Sequence, residues 1–178
     1  MKYIFVIYYL IFIISTSNAQ VAEIPFELGK NGHIYLKVIA NDTSKELQFI
    51  LDTGATSDLL DSTTAKKLDM KPNYQQEVIG MGGNKTYDFI LNQKLTLQQN
   101  IEINNTNLVL TDLSNLNEVL NKNIDGIIGY SLLSKYITKI DYENEKIILY
   151  DEIEDVDVEE YKAIPFQFGD GILIPQFD

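Results

Sequence analysis

Apolar and polar residues alternate in short runs along most of this chain, and turn residues interrupt them every few positions. Ile24-Pro25-Phe26-Glu27-Leu28 predicts a strand, Gly29 to Gly32 a turn, and His33 to Ile39 the returning strand. Asn41 to Lys45 predicts another turn and Glu46 to Leu51 the next strand. Val78-Ile79 and Tyr87 to Leu91 flank Gly80-Met81-Gly82-Gly83-Asn84, which predicts a glycine-rich hairpin tip. Leu95 to Leu97, Ile101 to Ile103 and Asn107 to Leu110 are further short strands, and Ile137 to Asp141 with Lys146 to Tyr150 form a last hairpin around Glu143-Asn144. Helical spacing is limited to Ser62 to Leu68, Leu113 to Leu120 and Tyr130 to Tyr136. Many short strands with regular turns predict an all-β sandwich or barrel with one or two short helices.

The first twenty residues stand outside this pattern. Lys2 precedes an unbroken apolar run from Tyr3 to Ile14, and Ser17-Asn18-Ala19 supplies small residues where a signal peptidase reads. A secretory signal over residues 1–19, cut after Ala19, is the expectation. The run is shorter than the roughly twenty residues that span a bilayer. The mature protein is therefore expected to be exported, to the periplasm or outside the cell, with no stable membrane anchor.

Composition narrows the chemistry. The chain has no cysteine, which excludes a disulfide framework and a thiolate nucleophile. Its single histidine, His33, makes a metal site or a histidine-based triad a poor reading, so no metal and no cofactor is expected. The serines lack the flanking glycines of a nucleophile elbow. A formal charge of −12, with all 14 basic residues lysine, argues against nucleic acid as a partner. Asp151 to Glu160 holds seven carboxylates in ten residues. It lacks the regular spacing of a cation loop and reads better as a solvated linker over residues 151–162. Beyond it, Ala163-Ile164-Pro165-Phe166 echoes Ala22-Glu23-Ile24-Pro25-Phe26. The echo predicts the start of a second, truncated unit over residues 163–178.

The candidate chemistry lies at Asp52-Thr53-Gly54-Ala55, directly after the apolar run Leu47 to Leu51. A carboxylate at the end of a buried strand needs specific hydrogen bonds or a chemical role. Asp and Gly also favour plain turns, so the tripeptide alone decides little. Two later elements add to it: the glycine-rich tip, and Ile124-Asp125-Gly126-Ile127-Ile128-Gly129 about 75 residues on, followed by Leu132-Leu133.

In that order, these elements resemble one lobe of a retropepsin-like aspartic peptidase, over residues 24–150. The resemblance implies an acid-protease barrel lobe acting on peptide or protein substrates. It makes Asp52 one of two catalytic carboxylates, with Thr53, Gly54 and Ala55 as support. Two carboxylates about 3 Å apart repel by roughly 5 kcal/mol at an effective dielectric of 20, so the pair shares one proton over a wide pH range. The charged member would take a proton from water, which attacks the carbonyl that the protonated member holds. Gly54 would let an N–H approach the carboxylate without a Cβ in the way. Met81, Gly82 and Gly83 would belong to a substrate-binding flap, although the same glycines suit an unpartnered hairpin tip. Ile127-Ile128-Gly129 would pack behind the Asp52 loop, and Asp125 would be structural.

No second Asp-Thr-Gly or Asp-Ser-Gly occurs. Catalysis therefore requires another lobe, from a homodimer or from a second lobe downstream. The expected function is an exported aspartic-type endopeptidase so completed. The alternative is a non-catalytic retropepsin-like module for peptide binding or dimerisation.

Overall fold

The computed structural model describes residues 20–41, 43–80, 83–159, 161–169 and 172–175. The expected signal segment, Met81 and Gly82 lie outside the described residues.

The first strands are β1 (Gln20–Pro25), β2 (Glu27–Leu28), β3 (Ile34–Ala40), β4 (Leu47–Leu51) and β5 (Asp58–Asp61). They continue as β6 (Tyr74–Gly80), β7 (Gly83–Leu97), β8 (Ile101–Thr111) and β9 (Gly126–Ile128). β10 (Ile137–Asp141), β11 (Lys146–Tyr150), β12 (Phe166–Gly169) and β13 (Ile172–Pro175) follow. Among the described residues, three short α-helices punctuate them: α1 (Ser62–Lys67), α2 (Ser114–Leu120) and α3 (Tyr130–Leu133).

Strands β3-β4-β9-β5-β8-β7 pair in sequence, and β7 returns to β3, closing a six-stranded barrel. Closure leaves those strands without free edges. The barrel is filled by the apolar members of each alternating run. Leu36, Val38, Phe49, Leu60, Leu95, Leu108 and Ile128 are all sealed from solvent. Burial of each such side chain contributes about 1.5–3 kcal/mol. A separate sheet, β1-β11-β10, covers one side of the barrel, and Ile24, Ile147 and Leu149 join the same core. Helix α2 packs Leu116 and Leu120 against Tyr35, Ile50 and Ile124 on the outer face, as the spacing of Leu113, Leu116 and Leu120 predicts.

Several expected breaks are absent. Tyr87–Leu91 and Leu95–Leu97 belong to one strand, β7, whose pairing with β8 shifts register between Ile90 and Gln93. Asn92 takes φ 60° there, and its N–H donates to Asn107 Oδ1 at 3.1 Å. The polar interruption is a bulge, which bends the strand from the β6–β7 hairpin into the barrel without ending it. Ile101–Ile103 and Asn107–Leu110 likewise merge into β8, with Asn105 at φ 59°. Conversely, the strand expected over Ile24–Leu28 splits at Phe26, whose ring turns inward and whose N–H donates to Glu145 O at 2.9 Å.

The β6–β7 hairpin projects beyond the barrel, pairing without interruption from Tyr74↔Phe89 to Gly80↔Gly83. Strands β12 and β13 pair with each other as a two-stranded sheet of their own.

The three-residue β9 is the tightest fit in the barrel. It runs parallel to β4 and antiparallel to β5, between the two. A Cβ on Gly126 would overlap the Phe49 ring and come within 2.6 Å of Leu59 O. Gly126→Ala therefore forces two buried strands apart. We expect it to cost about 1–3 kcal/mol, read as a lower urea midpoint at unchanged slope.

Candidate active site

Strand β4 delivers Asp52 to the mouth of the barrel, where the chain turns through Thr53-Gly54-Ala55. The Asp52 N–H donates to Ile128 O at 2.9 Å and continues the β4–β9 pairing by one residue. The turn then closes on itself, with Ala55 N–H donating to Asp52 O at 3.1 Å. The Gly54 N–H donates to Asp52 Oδ1 at 2.8 Å, and a Cβ on Gly54 would sit 3.3 Å from that oxygen. The close approach expected of Gly54 is thus present.

Beneath the turn lies the end of β9. Tyr130 N–H donates to Ala55 O at 3.1 Å. A Cβ on Gly129 would overlap the Asp52 carbonyl oxygen and lie 2.8 Å from Ala55 O. Ile127-Ile128-Gly129 therefore packs behind the Asp52 loop, as expected.

Asp52, Thr53 and Gly54 are exposed in the single chain. Strand β4 is largely buried and Asp52 emerges from its end; three other aspartates, Asp58, Asp61 and Asp125, are buried. Asp125 is structural: Oδ2 accepts from Gln48 N–H at 2.9 Å and Oδ1 from the Thr64 hydroxyl at 2.7 Å. Asp61 caps α1 by accepting from Thr64 N–H at 2.8 Å, and also accepts from Leu113 N–H at 3.2 Å. Both act at the opposite end of β4 and β5 from Asp52.

Asp58 was not singled out from the sequence. It opens β5, only six residues past Asp52, and is 3 % exposed. Its Oδ1 accepts from Gly129 N–H at 2.9 Å. Burial pushes its carboxyl above the ordinary range, partly offset by the Ser131 hydroxyl and by the N–H groups of Gly129 and Ser131. The only sequence signal was its place as the first inward position of a β-strand beginning Asp-Leu-Leu.

Two clefts open near the turn. One, of about 570 Å³, runs between Thr56, Ser57 and Asp58 on the loop side and Tyr74, Gln76 and Phe89 at the base of the β6–β7 hairpin. The other, of about 330 Å³, brings Asn31, His33, Leu116 and Tyr142 to Asp52 and Thr53. His33, which the sequence left without a role, thus borders the same turn. A smaller hollow of about 170 Å³ places Phe166 of β12 beside Thr53, Gly54, Ala55 and Tyr130. Gly83 begins β7 at the hairpin tip and pairs with Gly80. Among the described residues, no cluster of His, Asp and Glu suits a metal ion.

An aspartyl protease family profile matches residues 36–132, from β3 to α3. The chain belongs to the aspartyl protease family. A retropepsin-like aspartic protease from Rickettsia conorii shares the fold, with a TM-score of 0.52 at 22 % identity, over 72 % of this chain and 89 % of that one. The Simian Foamy Virus (mac) protease aligns at 14 % identity and a TM-score of 0.39, over 55 % of this chain and 88 % of that one. No curated protein matches. The barrel is therefore a retropepsin-like aspartyl protease lobe, as the order of motifs predicts.

The direction of the Asp58 shift fixes a pH dependence. A carboxyl raised above its unfolded value contributes its full stability below that value and loses it as pH rises through the folded pKa. Asp58→Asn keeps an acceptor for Gly129 N–H and removes the titration. Its melting temperature should therefore gain on the wild type as pH rises from 3 to 7, which a series of thermal melts across that range measures.

Proposed function

We propose that this chain is the catalytic lobe of an exported aspartic-type endopeptidase, in which Asp52 supplies one carboxylate of a water-activating dyad. The observation that carries the reading is the Asp52 turn itself. Its carboxylate is exposed, Gly54 N–H is fixed on it at 2.8 Å, and the loop is tied to Ile128 and Tyr130 by backbone hydrogen bonds. Such a carboxylate is rigidly aimed outward, at the position a second lobe would complete.

Each neighbour has a part in that reading. Gly54 N–H holds one oxygen of the Asp52 carboxylate in place. Thr53, exposed beside it, offers its hydroxyl to the opposing lobe, and Ala55 leaves room for Gly129 beneath. The β6–β7 hairpin closes over an extended peptide and excludes water, with Met81, Gly82 and Gly83 as its substrate-binding residues. Substrate lies between hairpin and turn. The dyad needs no metal and no cofactor.

The second carboxylate comes either from the Asp52 of another copy across a two-fold axis or from a second lobe downstream. The echo at Ile164-Pro165-Phe166, and the position of Phe166 beside Thr53, support placing the partner lobe on that side. The apolar N-terminal segment supports export, to the periplasm or the cell exterior, with removal of residues 1–19. Residues 151–162 then serve as a linker to the unit begun at 163.

The test is peptide hydrolysis by purified protein from acid to neutral pH, paired with sedimentation. Wild-type protein in its complete assembly should cleave an unfolded substrate. Asp52→Asn should abolish cleavage while changing stability by no more than about 0.5 kcal/mol, as expected of an exposed position. Cleavage that survives Asp52→Asn overturns the assignment. A monomer that binds peptides and cleaves none at any pH establishes the non-catalytic module instead.

A further inference from the structure

Asp58 is a costly choice for its position. A serine or threonine hydroxyl could accept from Gly129 N–H without bringing a carboxylate into the protein interior. Its neighbours along the barrel are apolar: β5 pairs Asp58 with Leu108 of β8, and the next residue, Leu59, with Ile127 of β9. Its Oδ1 nonetheless accepts from the N–H of Gly129, at 2.9 Å.

Gly129 is the residue on which the Asp52 turn rests. Its α-carbon lies so close to Asp52 O and Ala55 O that no side chain fits between. The residues on either side of it make the two hydrogen bonds that hold the turn, Ile128 O to Asp52 N–H and Tyr130 N–H to Ala55 O. The Gly129 N–H points away from the turn and is held by Asp58 alone among the side-chain acceptors bonded to this segment. One carboxylate thus sets the plane of the peptide between those two bonds.

We propose that Asp58 is a positioning residue of the Asp52 site: by holding the Gly129 N–H it fixes the floor of the Asp52–Ala55 turn, and so the direction of the Asp52 carboxylate. Asp58, 3 % exposed at the edge of the larger cleft, is assigned no contact with substrate. It acts through Gly129 and the two backbone bonds beside it. The catalytic consequence rests on the proposed role of Asp52, whereas the geometric one does not.

Amide NMR of the labelled protein separates the two. The Gly54 N–H, bonded to the Asp52 carboxylate, reports on the turn, and the Gly129 N–H reports on its floor. Asp58→Ala should shift both resonances, and Asp58→Asn, which keeps an acceptor oxygen, should return both close to wild type. Asp58→Val, a branched apolar side chain of similar size, should shift both as Asp58→Ala does and serves in its place if the alanine variant does not fold. Asp125→Ala, which removes a buried carboxylate from the far end of the strands, should leave Gly54 unmoved. A Gly54 resonance that stays in place in Asp58→Val, or moves equally in Asp125→Ala, overturns the proposal. In a peptidase assay the loss in Asp58→Val should fall on kcat, by about 10- to 100-fold, with KM within about twofold, and Asp58→Asn should recover most of it. If wild-type protein cleaves nothing, the Asp52 reading fails, and the Gly54 comparison still decides the role of Asp58.

Discussion

The site depends on the insertion of β9 between β4 and β5. Three residues, Gly126 to Ile128, pair in parallel with one strand and antiparallel with the other. The junction admits no Cβ at Gly126, and just past its end none at Gly129. Each end of the insert is tied to its neighbours by a buried aspartate. Asp125 before it binds Gln48 and Thr64, and Asp58 beside its far end binds Gly129. Since β4 leads straight into Asp52, any sliding of β9 would displace the Asp52 turn with it. Glycines that exclude slack and buried carboxylates that hold backbone N–H groups convert a short strand into a rigid support.

The carboxylates divide by environment. Asp58, Asp61 and Asp125 are enclosed and committed to hydrogen bonds within the lobe. Asp52 is exposed, with the Gly54 N–H on one of its oxygens. An interior carboxylate unable to reach solvent is suited to holding structure. An exposed one with a fixed direction is suited to meeting something from outside. The distinction follows from position on the strands: β4 ends at the barrel mouth, while Asp61 and Asp125 lie where β5 ends and β9 begins.

Much of this was legible in the chain. Alternation located nearly every strand, and the order of Asp-Thr-Gly, glycine-rich tip and Ile-Ile-Gly predicted the fold and the packing of Ile128-Gly129 behind Asp52. What alternation could not show was whether a polar interruption ends a strand or bends it. Asn92 and Asn105 adopt positive φ within continuous strands, because asparagine tolerates that conformation and bonds locally. Burial of individual aspartates was also hidden. Asp52 and Asp58 both border apolar runs, and only the closure of the barrel decides that one faces out and the other in. The role of Asp58 required a contact across 71 residues, between a strand start and a glycine that sequence spacing alone does not connect.

The exposure of the Asp52 turn bears on what a complete enzyme would need. Only when a second carboxylate is brought to about 3 Å does mutual repulsion, roughly 5 kcal/mol at an effective dielectric of 20, force the two to share one proton. Among the described residues, the neighbouring buried carboxylate, Asp58, is turned inward to Gly129 and does not create that repulsion. The lobe can supply a surface that holds Asp52 still while the pair forms. On the proposed reading, the rigidity of the β9 support limits how far two mutually repelling carboxylates can relax apart. Stiffness built inside one lobe would then be spent at the contact between two.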